Sequence, residues 1–100
     1  MKYEIWKLPL SDPNKFISYD YIKHAVKIAD YVMVYSGEIK GDKLNNRMLE
    51  QLFEKFNINH PEDYHSESMS VSDLICGIDE CNHREWFYVD SIGFFRRTDV

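Results

Sequence analysis

Four glycines and three prolines leave this 100-residue chain short of the residues that build linkers and phosphate loops. Neither G-x-x-x-x-G-K-S/T nor G-x-G-x-x-G occurs, so neither of those phosphate cradles is present. Cysteine is scarce, with two residues, and a domain of this size buries enough surface to fold without disulfide or metal. Apolar runs stop after a few residues, as in Val32-Met33-Val34-Tyr35. A membrane helix needs about 20. The stretch from Met1 to Lys7 contains Glu4 and no apolar core, so no export signal is expected. The thiols are then expected to stay reduced in a cytoplasm. Cations are outnumbered, 12 Lys and Arg against 17 Asp and Glu, for a formal charge of −5. Direct nucleic-acid binding is disfavoured, because phosphate contacts need clustered bases.

What the chain has is apolar and aromatic mass, 44% and 15% of its residues. That suffices for one packed domain over residues 1–100 and argues against disorder. The acidity is concentrated. Residues 1–47 carry eight bases and six acids, residues 84–100 three of each, and residues 48–83 eight acids against Lys55 alone. Glu50, Glu54, Glu62, Asp63, Glu67, Asp79 and Glu80 therefore form a candidate partner-binding set for something basic. The plainer alternative is a solvated face.

The patterning alternates strands and helices. Residues 3–8 alternate apolar and polar and read as a strand ended by Pro9. Ser11-Asp12-Pro13-Asn14 is turn chemistry. Ser18 can cap a helix with Asp20 in its first turn, and Ile22, Ala25, Val26 and Ala29 then share one face. Tyr31–Tyr35 is apolar on both faces, which predicts a central strand. Leu44, Met48, Leu49, Leu52, Phe53 and Phe56 make a core-facing helical stripe, stopped near Asn57 and Pro61. Residues 71–78 and 86–89 predict a hairpin, and residues 94–97 a last short strand. The order β-α-β-α-β-β-β predicts an α+β domain: a four- to five-stranded, mostly antiparallel sheet with two helices on one face.

Four stretches carry a family resemblance: residues 30–38, residues 49–57, His60-Pro61-Glu62-Asp63-Tyr64 running into Ser68-Met69-Ser70-Val71-Ser72-Asp73, and Tyr88-Val89-Asp90-Ser91-Ile92-Gly93-Phe94. Together, over about residues 30–94, they resemble the YodL-like domain of Firmicutes mobile genetic elements. The serine-rich piece and the Val-Asp-Ser-Ile-Gly-Phe piece are the specific ones. The family pattern has Gly and a base just before the serine-rich strand, where this chain has Ser66 and Glu67. That weakens any transfer of a phosphate-contacting role. The resemblance implies no catalytic activity. It implies an accessory protein of a plasmid or phage, acting in a bacterial host cytoplasm, a setting that by analogy includes anti-restriction and anti-CRISPR inhibitors.

Other constellations have plainer readings. Cys76, Cys81 and His83, with His60 and His65 upstream, contain zinc-ligand types, but no second matching pair completes the usual signature. Ser68, Ser70, Ser72, His60, His65, Asp73 and Asp90 contain triad chemistry, yet no nucleophile elbow is present. Ser70 and Ser72 would share one face of a strand. Arg84, Arg96 and Arg97 interleave with Trp86, Tyr88 and Phe94 as single-strand binders do, or serve as edge-strand charges. The tyrosines are partner anchors or half-buried core.

The leading expectation is a non-catalytic anti-defence inhibitor without cofactor or metal. Its acidic residues would act as a DNA mimic in the basic channel of a CRISPR effector nuclease or another nucleic-acid-binding defence protein. No direct nucleic-acid or membrane contact is expected. The alternatives are a small hydrolase or nuclease using His60, His65 and Asp73, and a host-factor adaptor for plasmid maintenance.

Overall fold

Alternation along β1 (Lys2–Lys7) sets the architecture. Tyr3, Ile5 and Lys7 are buried on one side while Lys2, Glu4 and Trp6 face the other. In the computed structural model, which describes residues 1–22 and 27–97, β1 lies second in a five-stranded sheet of order β2-β1-β3-β4-β5. The other strands are β2 (Val32–Glu38), β3 (Leu74–Ile78), β4 (Arg84–Val89) and β5 (Phe94–Arg97). Every neighbouring pair is antiparallel. The α+β class, the strand count and the element order are as the patterning predicts.

The central strand is β3, not β2. All five β3 residues are buried, whereas β2 sits at an edge with Val32 57% and Met33 43% exposed. Apolarity on both faces of Tyr31–Tyr35 marked β2 as central. It did not reveal that β2 pairs on one side only. Gly77 helps explain the choice of β3: a Cβ there would come within 2.8 Å of Leu44 and 2.9 Å of Met1. Glycine lets both side chains close over the strand.

Helix α2 (Asn46–Ile58) begins where the Asn45 side chain accepts a 2.9 Å bond from the Met48 N–H. That bond satisfies one of the unpaired first-turn donors. Leu49, Leu52 and Phe56 are buried, with Met48 and Phe53 beside them, against Tyr3, Ile5, Ile75, Phe87 and Val89. Phe56 meets Tyr3, Tyr35 and Tyr64 edge-on at 6.3, 5.1 and 4.8 Å.

The opposite face holds a second cluster of Leu8, Tyr31, Leu74 and Tyr88, flanked by Trp6, Ile17, Tyr19, Ile28 and Trp86. The four-residue α1 (Tyr19–Ile22) lies here, with the Tyr19 ring 5.4 Å from Tyr88 and stacked 4.0 Å from Phe95. Tyr88 alternates with Phe87 and Val89, so α1 and α2 cover opposite faces rather than one. The sheet carries a packed cluster on each side, and Leu8, Ile17, Tyr19, Ile28 and Tyr31 supply the second cover. Of the apolar face predicted after Ser18, Ala25 and Val26 lie outside the described residues. Among the described residues no helix is long and apolar enough to cross a membrane.

Candidate functional site

Buried charge is concentrated where β1 ends and β3 begins. Lys7 closes β1 with its side chain 3% exposed, and its Nζ donates to Asp73 Oδ2 at 2.6 Å and to the Ser68 carbonyl at 3.0 Å. Lys15, on the loop after Pro9, donates to the Leu8 carbonyl and to Glu67 Oε1, both at 2.8 Å, and stands 3.9 Å from Asp73 Oδ1. Two buried ammoniums thus converge on buried Asp73, and Lys15 also reaches Glu67, whose side chain is 42% exposed. Such pairing is what a buried charge requires.

The serine-rich motif forms the frame of this cluster. Asp73 Oδ2 accepts from the Ser70 N–H at 2.9 Å, closing a tight turn, and the Asp73 N–H donates to the Ser70 carbonyl at 3.2 Å. Ser72 adopts φ 88° and Phe16 φ 69°, and the Phe16 N–H donates to Ser72 Oγ at 3.1 Å. The Tyr31 hydroxyl donates to the Ser72 carbonyl at 2.6 Å. The two specific family stretches then interlock, because the Ser72 N–H donates to the Val89 carbonyl and the Val89 N–H to the Asp73 carbonyl. Asp90 completes the frame by accepting from the Tyr19 and Ser91 N–H groups at 3.2 and 2.8 Å. The motif therefore pins residues 15–19 and 31 to the start of β3.

The electrostatics follow from this geometry. Burial pushes the Asp73 carboxyl above its ordinary range, while the Lys7 and Lys15 ammoniums pull against it. The Lys15 hydrogen bond draws Glu67 down to about 2. Burial raises the Tyr31 hydroxyl, and raises Tyr64 to about 12. Asp73 Oδ1 and Ser70 Oγ are buried without a hydrogen-bond partner among the described residues. Both lysines are occupied and Ser72 Oγ accepts from backbone, so the cluster holds the fold rather than presenting a nucleophile. Lys7 and Lys15 escaped the sequence reading because isolated lysines at strand ends and in loops usually reach solvent. The only signal was Lys7 at an inward position of the alternation.

The hydrolase set does not assemble. Asp73 is engaged as above, His60 is exposed beside Tyr64 with ring centres 5.6 Å apart, and His65 is exposed in the same loop. Ser70 and Ser72 lie in the turn before β3 rather than on a strand. Cys76 is buried in β3 with its thiol pushed up to about 11 by burial, while Cys81 is exposed in the β3–β4 turn. Among the described residues no three His, Cys, Asp or Glu side chains are grouped to hold a metal ion. The arginines are tied to the sheet: Arg84 to Glu4 at 2.6 Å, Arg96 to Glu85 at 3.1 Å, and Arg97 over the Tyr19 ring at 5.0 Å.

The seven acidic residues do not form one patch. Asp79 and Glu80 occupy the β3–β4 turn beside Lys2, whereas Glu67 lies at the other end of β3, about 17 Å away at the usual strand rise. Three of the seven also have structural work. Glu67 is held by Lys15 and by Ser66 Oγ at 3.1 Å. Asp79 accepts from the Cys81 and His83 N–H groups at 2.8 and 2.9 Å. Asp63 accepts from the Tyr35 hydroxyl at 3.1 Å. Glu50, Glu54, Glu62 and Glu80 are exposed, and none is in an ion pair among the described residues. Glu50 borders a groove of about 190 Å³ that also holds Phe53, Asp90 and Phe94.

The fold and this cluster define a small α+β domain, built on an antiparallel sheet and locked at one end by a buried ion-pair network. A family model described as YodL-like domain matches residues 2–98, and the chain belongs to that family. No curated protein and no solved structure matches it.

Proposed function

We propose that this YodL-like domain is a non-catalytic binding protein of a mobile genetic element, whose outward carboxylates engage the basic nucleic-acid channel of a bacterial defence nuclease. A CRISPR effector is the leading target. Carboxylates in place of phosphates would exclude the nucleic acid. The observation that carries this reading is the division of labour among the acids. Buried Asp73 and exposed Glu67 are neutralised internally, while Glu50 and Glu54 on α2, and Glu62 beyond it, face outward with no ion pair among the described residues. Glu50 and Glu54 stand one helical turn apart, an arrangement that costs a helix a few tenths of a kcal/mol. A cationic partner would reverse that cost. Asp79 drops out of the contact set because it is committed to its own turn, and Glu80 because it lies at the far end of the sheet.

The test is a plasmid-interference assay with a guided effector nuclease in the host. Co-expression of the protein is expected to restore plasmid survival. The Glu50→Lys/Glu54→Lys/Glu62→Lys variant is expected to abolish the rescue with an unchanged melting temperature. Rescue that survives this triple reversal contradicts the acidic mechanism, and rescue lost on His65→Ala would favour the hydrolase instead.

A further inference from the structure

The two edges of the sheet are not alike. β5 is four residues long and ends in Arg96-Arg97, the short charged form that resists pairing with another strand. β2 runs for seven residues, holds no Pro, Lys or Arg, and exposes Val32 and Met33. Among the described residues it has a strand neighbour on one side only. Its pairing with β1 also skips a residue: Ile5 opposes Tyr35 and Trp6 opposes Met33, so Val34 has no opposite number. This bulge lies beside a groove of about 180 Å³, lined by Leu10, Val32, Val34 and Glu67 among others. Leu10 is itself 72% exposed.

The rim of that edge is acidic. Asp63 is bound to the Tyr35 hydroxyl and exposed Asp30 lies two residues before β2, while Glu67 borders the groove with its charge met by Lys15. Lys7 also lines the groove, but its ammonium is taken by Asp73 and the Ser68 carbonyl. A second copy paired antiparallel about Tyr35 would bring Asp63 against its own mate. An incoming strand bearing Lys or Arg would meet opposite charge.

We infer that the outer edge of β2 accepts an extended segment of a basic partner protein. The segment adds as a sixth strand, seats one aliphatic side chain in the groove between Leu10, Val32 and Val34, and turns its cations toward Asp63 and Asp30. Main-chain bonds supply affinity in such strand addition, and the alternate side chains supply specificity. The inference rests on the reading of a basic partner and adds the element that would grip it.

The probe is a peptide of about ten alternating lysines and valines, with an alternating glutamate and valine peptide as control. Amide hydrogen exchange of the full chain reads the result. The basic peptide is expected to slow exchange at Val32–Glu38 about tenfold, which is about 1.4 kcal/mol, and to leave β5 unchanged. The acidic peptide is expected to do nothing. Val32→Lys is exposed enough to preserve the melting temperature and is expected to remove the protection. Protection elsewhere, equal protection by both peptides, or none overturns the inference. Protection that grows with protein concentration alone assigns the edge to a second copy and overturns it too. If Val32→Lys keeps the plasmid rescue while the Glu50, Glu54 and Glu62 reversal loses it, the edge fails and the acidic reading stands. If both variants keep the rescue, the acidic reading fails as well.

Discussion

Asp73 is fully buried and holds two lysines, a turn N–H and, through its backbone, Val89. Its removal leaves two ammoniums in a dry pocket. Breaking such a pair from one side costs about 3–5 kcal/mol, so Asp73→Ala is expected to lose that much in urea unfolding. Tyr31→Phe removes one buried hydroxyl and leaves the Ser72 carbonyl unpaired, at about 1–3 kcal/mol. Glu67 gives the cluster an acid dependence. Its carboxyl is lowered in the folded state, chiefly by the Lys15 hydrogen bond, from 4.5 to about 2. Its contribution is therefore complete above the unfolded value and fades as pH falls from about 4.5 toward 2. Glu67→Gln is expected to flatten stability against pH in that window. An unchanged slope would show that Lys15 does not depend on Glu67.

At the scale of elements, legibility followed periodicity. The α2 stripe from Met48 to Phe56 and the β3–β4 hairpin were readable because repeats of 3.6 and 2 residues report which side is covered, whereas Leu44, expected on the same stripe, is buried ahead of the Asn45 cap. The position of β2 was not readable, since apolarity on both faces does not say whether one neighbour or two will pair. The placing of α1 against the second face was hidden for a related reason: the residues that decide it, Tyr19, Tyr88 and Phe95, are far apart in sequence. The buried cluster was half legible. Its Ser-Met-Ser-Val-Ser-Asp frame stood out, but the partners Lys7 and Lys15 come from 66 and 58 residues upstream of Asp73. Two element-level changes test the packing. Gly37 lies opposite Tyr3, and a Cβ there would come within 2.7 Å of the Tyr3 hydroxyl oxygen and 2.8 Å of its ring. Gly37→Ala is expected to destabilise by about 1–3 kcal/mol, as overpacking does. Asn45→Ala removes the α2 cap and is expected to cost about 1 kcal/mol, read from the urea midpoint.

Across the whole molecule the charge is partitioned. Among the described residues, Lys7, Lys15, Arg84 and Arg96 are taken up by carboxylates or carbonyls and Arg97 lies over the Tyr19 ring, while the surplus of acids is left on α2, on the loop after it and at the β3–β4 turn. A contiguous acidic third of the sequence therefore became several separate surface stations, because a chain that crosses the sheet between Glu67 and Asp79 carries its charges to opposite ends. The proposed displacement of nucleic acid is read most directly by a competition titration. A purified CRISPR effector nuclease, loaded with labelled target DNA, is titrated with this protein at two salt concentrations. Displacement of the DNA at low salt, weakened at high salt and absent for the Glu50, Glu54 and Glu62 reversal, is the predicted result. DNA that stays bound, or displacement indifferent to salt and to those three residues, would contradict the account.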